Sequence, residues 1–190
     1  MDVREAIETR RSIFAFTNAP VPQILLETIL SAGIWAPNHH LTEPWTFVIV
    51  GEKTRRTLAE RYAGLRLQKK AALDATEEKR ASLRAAAYDK FMAIPSIVAV
   101  ACLQEGGEQR QREDYAATCC AVQNIQLAAW AEGIGMQWST GPVTLESSTH
   151  ELLGLDPAQH QIIGFLYIGY PAEVPKARRK PLDEVLKRMP

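Results

Sequence analysis

A chain of 190 residues, 46% hydrophobic and 23% charged, can bury the core of one domain spanning 1–190 and is unlike a disordered segment. Its 22 basic and 22 acidic residues cancel, so it lacks the basic excess with which a general nucleic-acid binder neutralises phosphates. Cys102, Cys119 and Cys120 give neither a disulfide framework nor a zinc spacing, and no stretch is apolar enough for a leader or a membrane span. A reducing cytoplasm is the expected setting.

Val3, Ala6 and Ile7 repeat at helical spacing behind Asp2, a helix-capping residue, so the chain opens with a helix. Pro22 starts a second, whose apolar face is Leu25, Leu26, Ile29, Leu30 and Ile34, and Pro37 ends it. Trp45 to Val50 is β-rich and closed by Gly51, which predicts a strand. Lys53 to Met92 is charged and alanine-rich, with Leu58, Tyr62, Leu65, Leu73, Leu83 and Tyr88 spaced irregularly. It reads as two partly exposed helices forming a mobile cap.

After Pro95, Ile97 to Cys102 is continuously apolar, as in a strand buried on both faces. Asp114 to Glu132 is apolar nearly all round, a helix for a core or a subunit interface, and Gly133 ends it. A strand over Ile134–Trp138, a helix over Leu145–Leu153 and a strand over Gln161–Ile168 follow. Tyr170 to Pro190 is a proline-bearing tail long enough to wrap a neighbour. With no Gly-x-Gly-x-x-Gly and no Walker loop, the pattern is α+β rather than a Rossmann unit or a P-loop enzyme.

The residues suited to chemistry fall in separate places. Arg10-Arg11-Ser12 offers two planar forks and a hydroxyl to an anion, although basic residues also suit a solvated helix end. Trp35 to Trp45 frames Asn38, His39 and His40 between prolines and tryptophans. Trp138-Ser139-Thr140-Gly141 ends a strand in small polar residues that expose backbone N–H groups, or simply forms a turn. Lys176 to Lys180 is a second basic cluster, which also suits a solvated tail. Together the two basic groups suggest a phosphate ester closed in by both termini. There is no serine elbow, no paired carboxylate and no metal set, so a bound cofactor is expected to carry the reaction.

In this order these groups resemble the nitroreductase family of FMN-dependent oxidoreductases. The resemblance is carried by Arg10-Arg11-Ser12, by Val21-Pro22 opening a helix that ends at Ala36-Pro37, and by Pro44-Trp45-x-Phe47-Val48. It continues in Gly133-Ile134-Gly135, in Gly164-Phe165-Leu166-x-Ile168-Gly169-x-Pro171, and in Arg178-Arg179-Lys180-Pro181-Leu182-x-Glu184-Val185. The chain looks most like the short, minimal branch, which has Pro-Asp-His where this chain has Pro37-Asn38-His39 and Trp-Arg-Ser-Gly in place of Trp138 to Gly141.

The resemblance implies an α+β fold with a central mixed, mainly antiparallel sheet flanked by helices and a C-terminal tail reaching the partner of a homodimer. It implies FMN as cofactor and NADH or NADPH as electron donor. Small acceptors such as nitroaromatics or quinones would be reduced by ping-pong hydride transfer with no catalytic side chain; an FMN sensor or store without turnover is the alternative. Arg10, Arg11 and Ser12 would contact the phosphate, ribityl chain and pyrimidine edge, and Trp138, Ser139, Thr140 and Gly141 would line the isoalloxazine. Trp35 and His39 would come from the partner, and Arg178 would hold the phosphate. Two departures stand out: many relatives have a basic residue where this chain has Phe14, and Trp35 stands where the minimal branch can have Arg. Acceptor choice is expected to lie with the Lys53–Met92 region.

Overall fold

The computed structural model describes residues 1–68 and 75–190; Leu73 lies outside them. Helix α1 spans Val3–Thr9, and the Asp2 carboxylate accepts from the Glu5 N–H at 2.9 Å, the capping role its position predicts. Helix α2 spans Gln23–Ser31, with Pro22 just outside. It stops earlier than the proline at 37 suggests. The chain tightens into a 3-10 turn over Gly33–Trp35, because Gly33 abuts the core: a Cβ there would lie 2.8 Å from Ile125 Cδ1 and 2.9 Å from Phe47 Cζ. Ile34 is thereby turned outward.

Strand β1 spans Trp45–Ile49, and helices α3 (Glu52–Leu67) and α4 (Glu77–Met92) are the two expected in the alanine-rich region. Strand β2 spans Ser96–Leu103, and Val98 to Cys102 are fully buried. Helix α5 spans Glu108–Ala131, starting six residues before the apolar run. Its first turns, rich in Glu, Gln and Arg, are good helix formers that show no apolar period because they face water. Strand β3 (Gly135–Ser139), helix α6 (Ser147–Leu152) and strand β4 (His160–Gly169) complete the ordered elements.

The sheet order is β1-β2-β4-β3, and each neighbouring pair is antiparallel. The four strands are thus antiparallel throughout rather than mixed as expected; the one parallel pairing is an isolated bridge, Ser12 to Met136, that lays the N-terminal segment beside β3. Period-two alternation divides the buried side chains. Val98, Val100, Cys102, Met136, Leu166 and Ile168 pack under α2 and α5, while Ile97, Ala99, Ala101, Phe165 and Tyr167 pack under α3 and α4. Covering both faces explains why β2 reads as an unbroken apolar run. Each fully buried large apolar side chain here contributes about 1.5–3 kcal/mol relative to exposure.

The β2–β4 register slips between Val100 and Ala101, so Ile163 is an extra residue in β4. Among the described residues, no helix is long and apolar enough to cross a membrane.

Candidate functional site

The N-terminal segment is fixed to the sheet edge by its backbone. Ile13 N–H donates to the Met136 carbonyl at 3.0 Å, and the Ile13 side chain is fully buried. Gly135 is required opposite it, since a Cβ would collide with Ile13 and lie 2.9 Å from Pro171 Cγ. Farther along, Thr17 N–H donates to Tyr170 C=O at 2.9 Å and Ala172 N–H to Ala15 C=O at 3.0 Å. The two ends of the chain are thus laced together beside β3.

Charge gathers at that junction. Arg10 leaves α1 in an extended conformation, and its Nη1 donates to Gln126 Oε1 of α5 at 3.2 Å. Burial, the nearby Arg179 and the adjacent Arg11 together hold the Arg10 guanidinium below its ordinary range. An arginine stays protonated at neutral pH even so. Arg11 Nη1 donates to the carbonyls of Glu8 at 2.7 Å and Arg10 at 2.8 Å, which caps the end of α1. No ion pair among the described residues involves Arg10, Arg11, Arg178 or Arg179. Like charges brought together without a carboxylate call for an anion from outside.

Of the tail residues, Arg179 is the one whose charge Arg10 feels. Arg178, the sequence-level candidate, is exposed, and its carbonyl accepts from Arg179 Nη1 at 3.2 Å. Gln126 carries no motif that sequence reading could have weighed, and Arg179, part of the basic tail cluster, had nothing in the sequence to rank it above Arg178. Their roles come from docking the termini on α5 and β3.

At the far end of β3, Trp138 turns toward the α5 face and Ser139 toward the α3–α4 face. The indole Nε1–H donates to Ile163 C=O at 3.1 Å, at the residue that the bulge leaves without a register partner. The ring fills the space over Gly164, where a Cβ would come 2.6 Å from Cδ1 of the indole. Burial raises the titration of the Tyr167 hydroxyl above its ordinary range, and the nearby Ser139 works in the opposite direction. Thr140 is exposed, and the Gly141 carbonyl accepts from both N–H and Oγ1 of Thr144, at 3.0 and 2.9 Å. The loop is therefore held from both sides with its outer edge open.

The Trp35–His39 group lies elsewhere. Trp35 is 81% exposed. His39 Nδ1 lies 2.8 Å from Glu113 Oε2, and its ring stacks on His40 with centroids 3.9 Å apart. Asn38 organises this loop: its Oδ1 accepts from Glu43 N–H at 2.9 Å and its Nδ2 donates to Ala36 C=O at 3.3 Å. The turn so closed puts His40, Leu41 and Glu43 at positive φ, a costly conformation for such residues. Thr42 Oγ1 then donates to buried Asp114 at 2.6 Å. Along α5, Glu113 and Gln126 are separated by about 20 Å at 1.5 Å per residue. Within one chain, His39 and Arg10 do not meet.

A cavity of about 320 Å³ opens on the α3–α4 side of β3. It is lined by Phe14 and Phe16, by Tyr62 of α3 and Lys90 of α4, and by Gln137 and Tyr167. The thiols are inert by comparison: burial pushes Cys102 and Cys119 above the ordinary thiol range, leaving both protonated at neutral pH.

A family model described as the nitroreductase family matches residues 7–170. The chain is 32% identical over 179 residues to YfhC of Bacillus subtilis, a protein named as an NAD(P)H nitroreductase, covering 94% of this chain and 89% of that one. Among solved structures, a nitroreductase-like family protein from Bacillus cereus superposes with a TM-score of 0.82 at 31% identity, covering 100% of this chain and 96% of its own. A nitroreductase of Desulfovibrio desulfuricans in complex with FMN gives 0.76 at 26% identity, covering 100% and 98%.

Proposed function

This chain belongs to the nitroreductase family, and we propose that it is an FMN-dependent NAD(P)H oxidoreductase reducing small electrophilic acceptors such as nitroaromatics or quinones. The observation that carries this reading is the cluster of Arg10, Arg11 and Arg179, which has no carboxylate partner among the described residues and sits where both termini meet β3. A phosphate ester answers that excess charge; an arginine fork is suited to its geometry. When bound there, FMN would supply the redox chemistry, ping-pong hydride transfer from NADH or NADPH to the acceptor.

The chain's own residues bind and orient. Arg10 and Arg179 hold the phosphate, Arg178 lies beside them on the tail, and Arg11 and Ser12 serve the phosphate and ribityl side. The backbone from Trp138 through Ser139 and Thr140 to Gly141 presents a surface for the ring, and its rigidity comes from the indole and Thr144 contacts. No side chain is required as a general acid or base.

The site is completed in a homodimer in the cytoplasm. The separation of His39 and Trp35 from Arg10 within one chain supports supply from a second copy. So does the exposed stripe Ala116, Cys120 and Gln123 on α5, and so do the apolar tail residues Val174, Leu182 and Val185, which stay open to solvent. The test is direct. The purified protein, reconstituted with FMN, should be yellow and should bleach on anaerobic addition of NADH or NADPH. A protein that cannot take up FMN overturns the reading; a yellow one that no nicotinamide bleaches is instead a flavin-binding module.

A further inference from the structure

We infer that Gln126 is the positioning residue for Arg10: a neutral acceptor that fixes the guanidinium without cancelling the charge a phosphate ester is to meet. The inference rests on the FMN reading given above and deepens it at one contact. Gln126 lies on α5, 7% exposed, and its Oε1 accepts from Arg10 Nη1 at 3.2 Å.

The chain on either side of Arg10 is held by other contacts. Before it, Trp130, one turn beyond Gln126 on the same face of α5, donates its indole N–H to Thr9 Oγ1 at 2.9 Å. The Thr9 hydroxyl donates in turn to the Glu5 carbonyl at 2.6 Å, and the Arg10 N–H to the Ala6 carbonyl at 3.0 Å. After it, Ile13 is fixed to Met136 by its backbone and is fully buried. The backbone is therefore seated without Gln126, and what the amide adds is the direction of one side chain. An arginine already held in place loses less rotamer freedom when it grips an anion.

The choice of an amide over a carboxylate is the second half of the role. A carboxylate at 126 would make a stronger, charge-assisted bond to Arg10. Burial and the charges of Arg179 and Arg11 hold the Arg10 guanidinium below its ordinary range, and a carboxylate would relieve that strain within the free protein. The amide leaves it for the ligand to relieve. Accordingly, no ion pair among the described residues involves Arg10.

Wild-type protein, Gln126→Met and Gln126→Glu are compared by fluorescence titration with FMN and by chemical denaturation of the cofactor-free chain. Methionine keeps the volume and removes the acceptor; glutamate keeps shape and acceptor and adds a negative charge. FMN affinity should fall about fivefold in Gln126→Met, the loss of one hydrogen bond. It should fall about 50-fold in Gln126→Glu, where the pair with Arg10 competes with the phosphate. Cofactor-free Gln126→Glu should nevertheless resist denaturant at least as well as Gln126→Met. A residue that only tied α1 to α5 would give the reverse order of affinities, because glutamate keeps the tie and methionine breaks it. Three results overturn the role of Gln126 and leave the FMN reading intact: unchanged affinity in Gln126→Met, affinity in Gln126→Glu equal to or above that of Gln126→Met, or a less stable cofactor-free Gln126→Glu. Failure of the wild-type protein to take up FMN overturns both.

Discussion

The Trp138 indole lies directly over Gly164 and donates its N–H to the carbonyl of the preceding residue, Ile163. One bulged residue in β4 thus does two things: it offers a carbonyl to the ring and leaves a glycine-sized floor beneath it. The loop from Ser139 to Gly141 begins at that anchor. Its start is set by the sheet, and its other end by Thr144, which donates twice to the Gly141 carbonyl.

Gly164→Ala is the sharpest test of that anchor. The new methyl would collide with the indole and also lie 2.9 Å from the Ser139 carbonyl, so the clash includes backbone and a side chain that is already hydrogen-bonded. Overpacking of this kind costs about 1–3 kcal/mol. Chemical denaturation should show that loss, with weaker FMN retention accompanying it as the loop shifts. Stability equal to wild type would mean that the indole leaves its seat at little cost.

The arginines separate by their surroundings. Arg10→Ala removes a charged group whose burial and like-charged neighbours work against it in the free protein. The cofactor-free variant should therefore match or exceed wild-type stability. FMN affinity should fall by about 10- to 100-fold, the loss of a charge-assisted hydrogen bond of about 1.5–3 kcal/mol. Arg179→Ala should follow Arg10→Ala, and Arg178→Ala should do less, because Arg179 is the one Arg10 feels. Fluorescence titration with FMN measures all of these, and a larger effect at Arg178 would reassign the tail contact.

Legibility of the sequence followed the reach of each signal. Asp2, Pro22, the apolar run after Pro95 and the β-rich stretch at Trp45 act locally, and the elements they predict are present. The end of α2 was hidden because the crowding at Gly33 comes from Phe47 and Ile125, far away in sequence. The start of α5 was hidden because solvent-facing helix turns have no apolar period. In the site, Arg10 and Ser12 could be named from their chemistry. Gln126 could not, since it matters only through Arg10 set beside it, and Arg179, read as part of the basic tail, could not be ranked above Arg178. Asn38 shows the same limit: its two hydrogen bonds span Ala36 to Glu43, a closure visible only in the folded loop.

Ala116→Arg tests the shared site. Residue 116 is exposed on α5, in line with Cys120 and Gln123, while Ala117, Ala121, Val122 and Ile125 on the opposite side are buried. Arginine is nearly as good a helix former as alanine, so the substitution should leave the folding of one chain unaffected. A large charged side chain in a face that packs on a second copy should instead block association. Light scattering should report the 21.2 kDa mass of one chain for the variant and about twice that for wild type. FMN retention should fall with it, because the Trp35 and His39 of a second copy are no longer supplied. A variant that stays dimeric and yellow would move the interface off this face of α5, and would require His39 to reach the cofactor by another route.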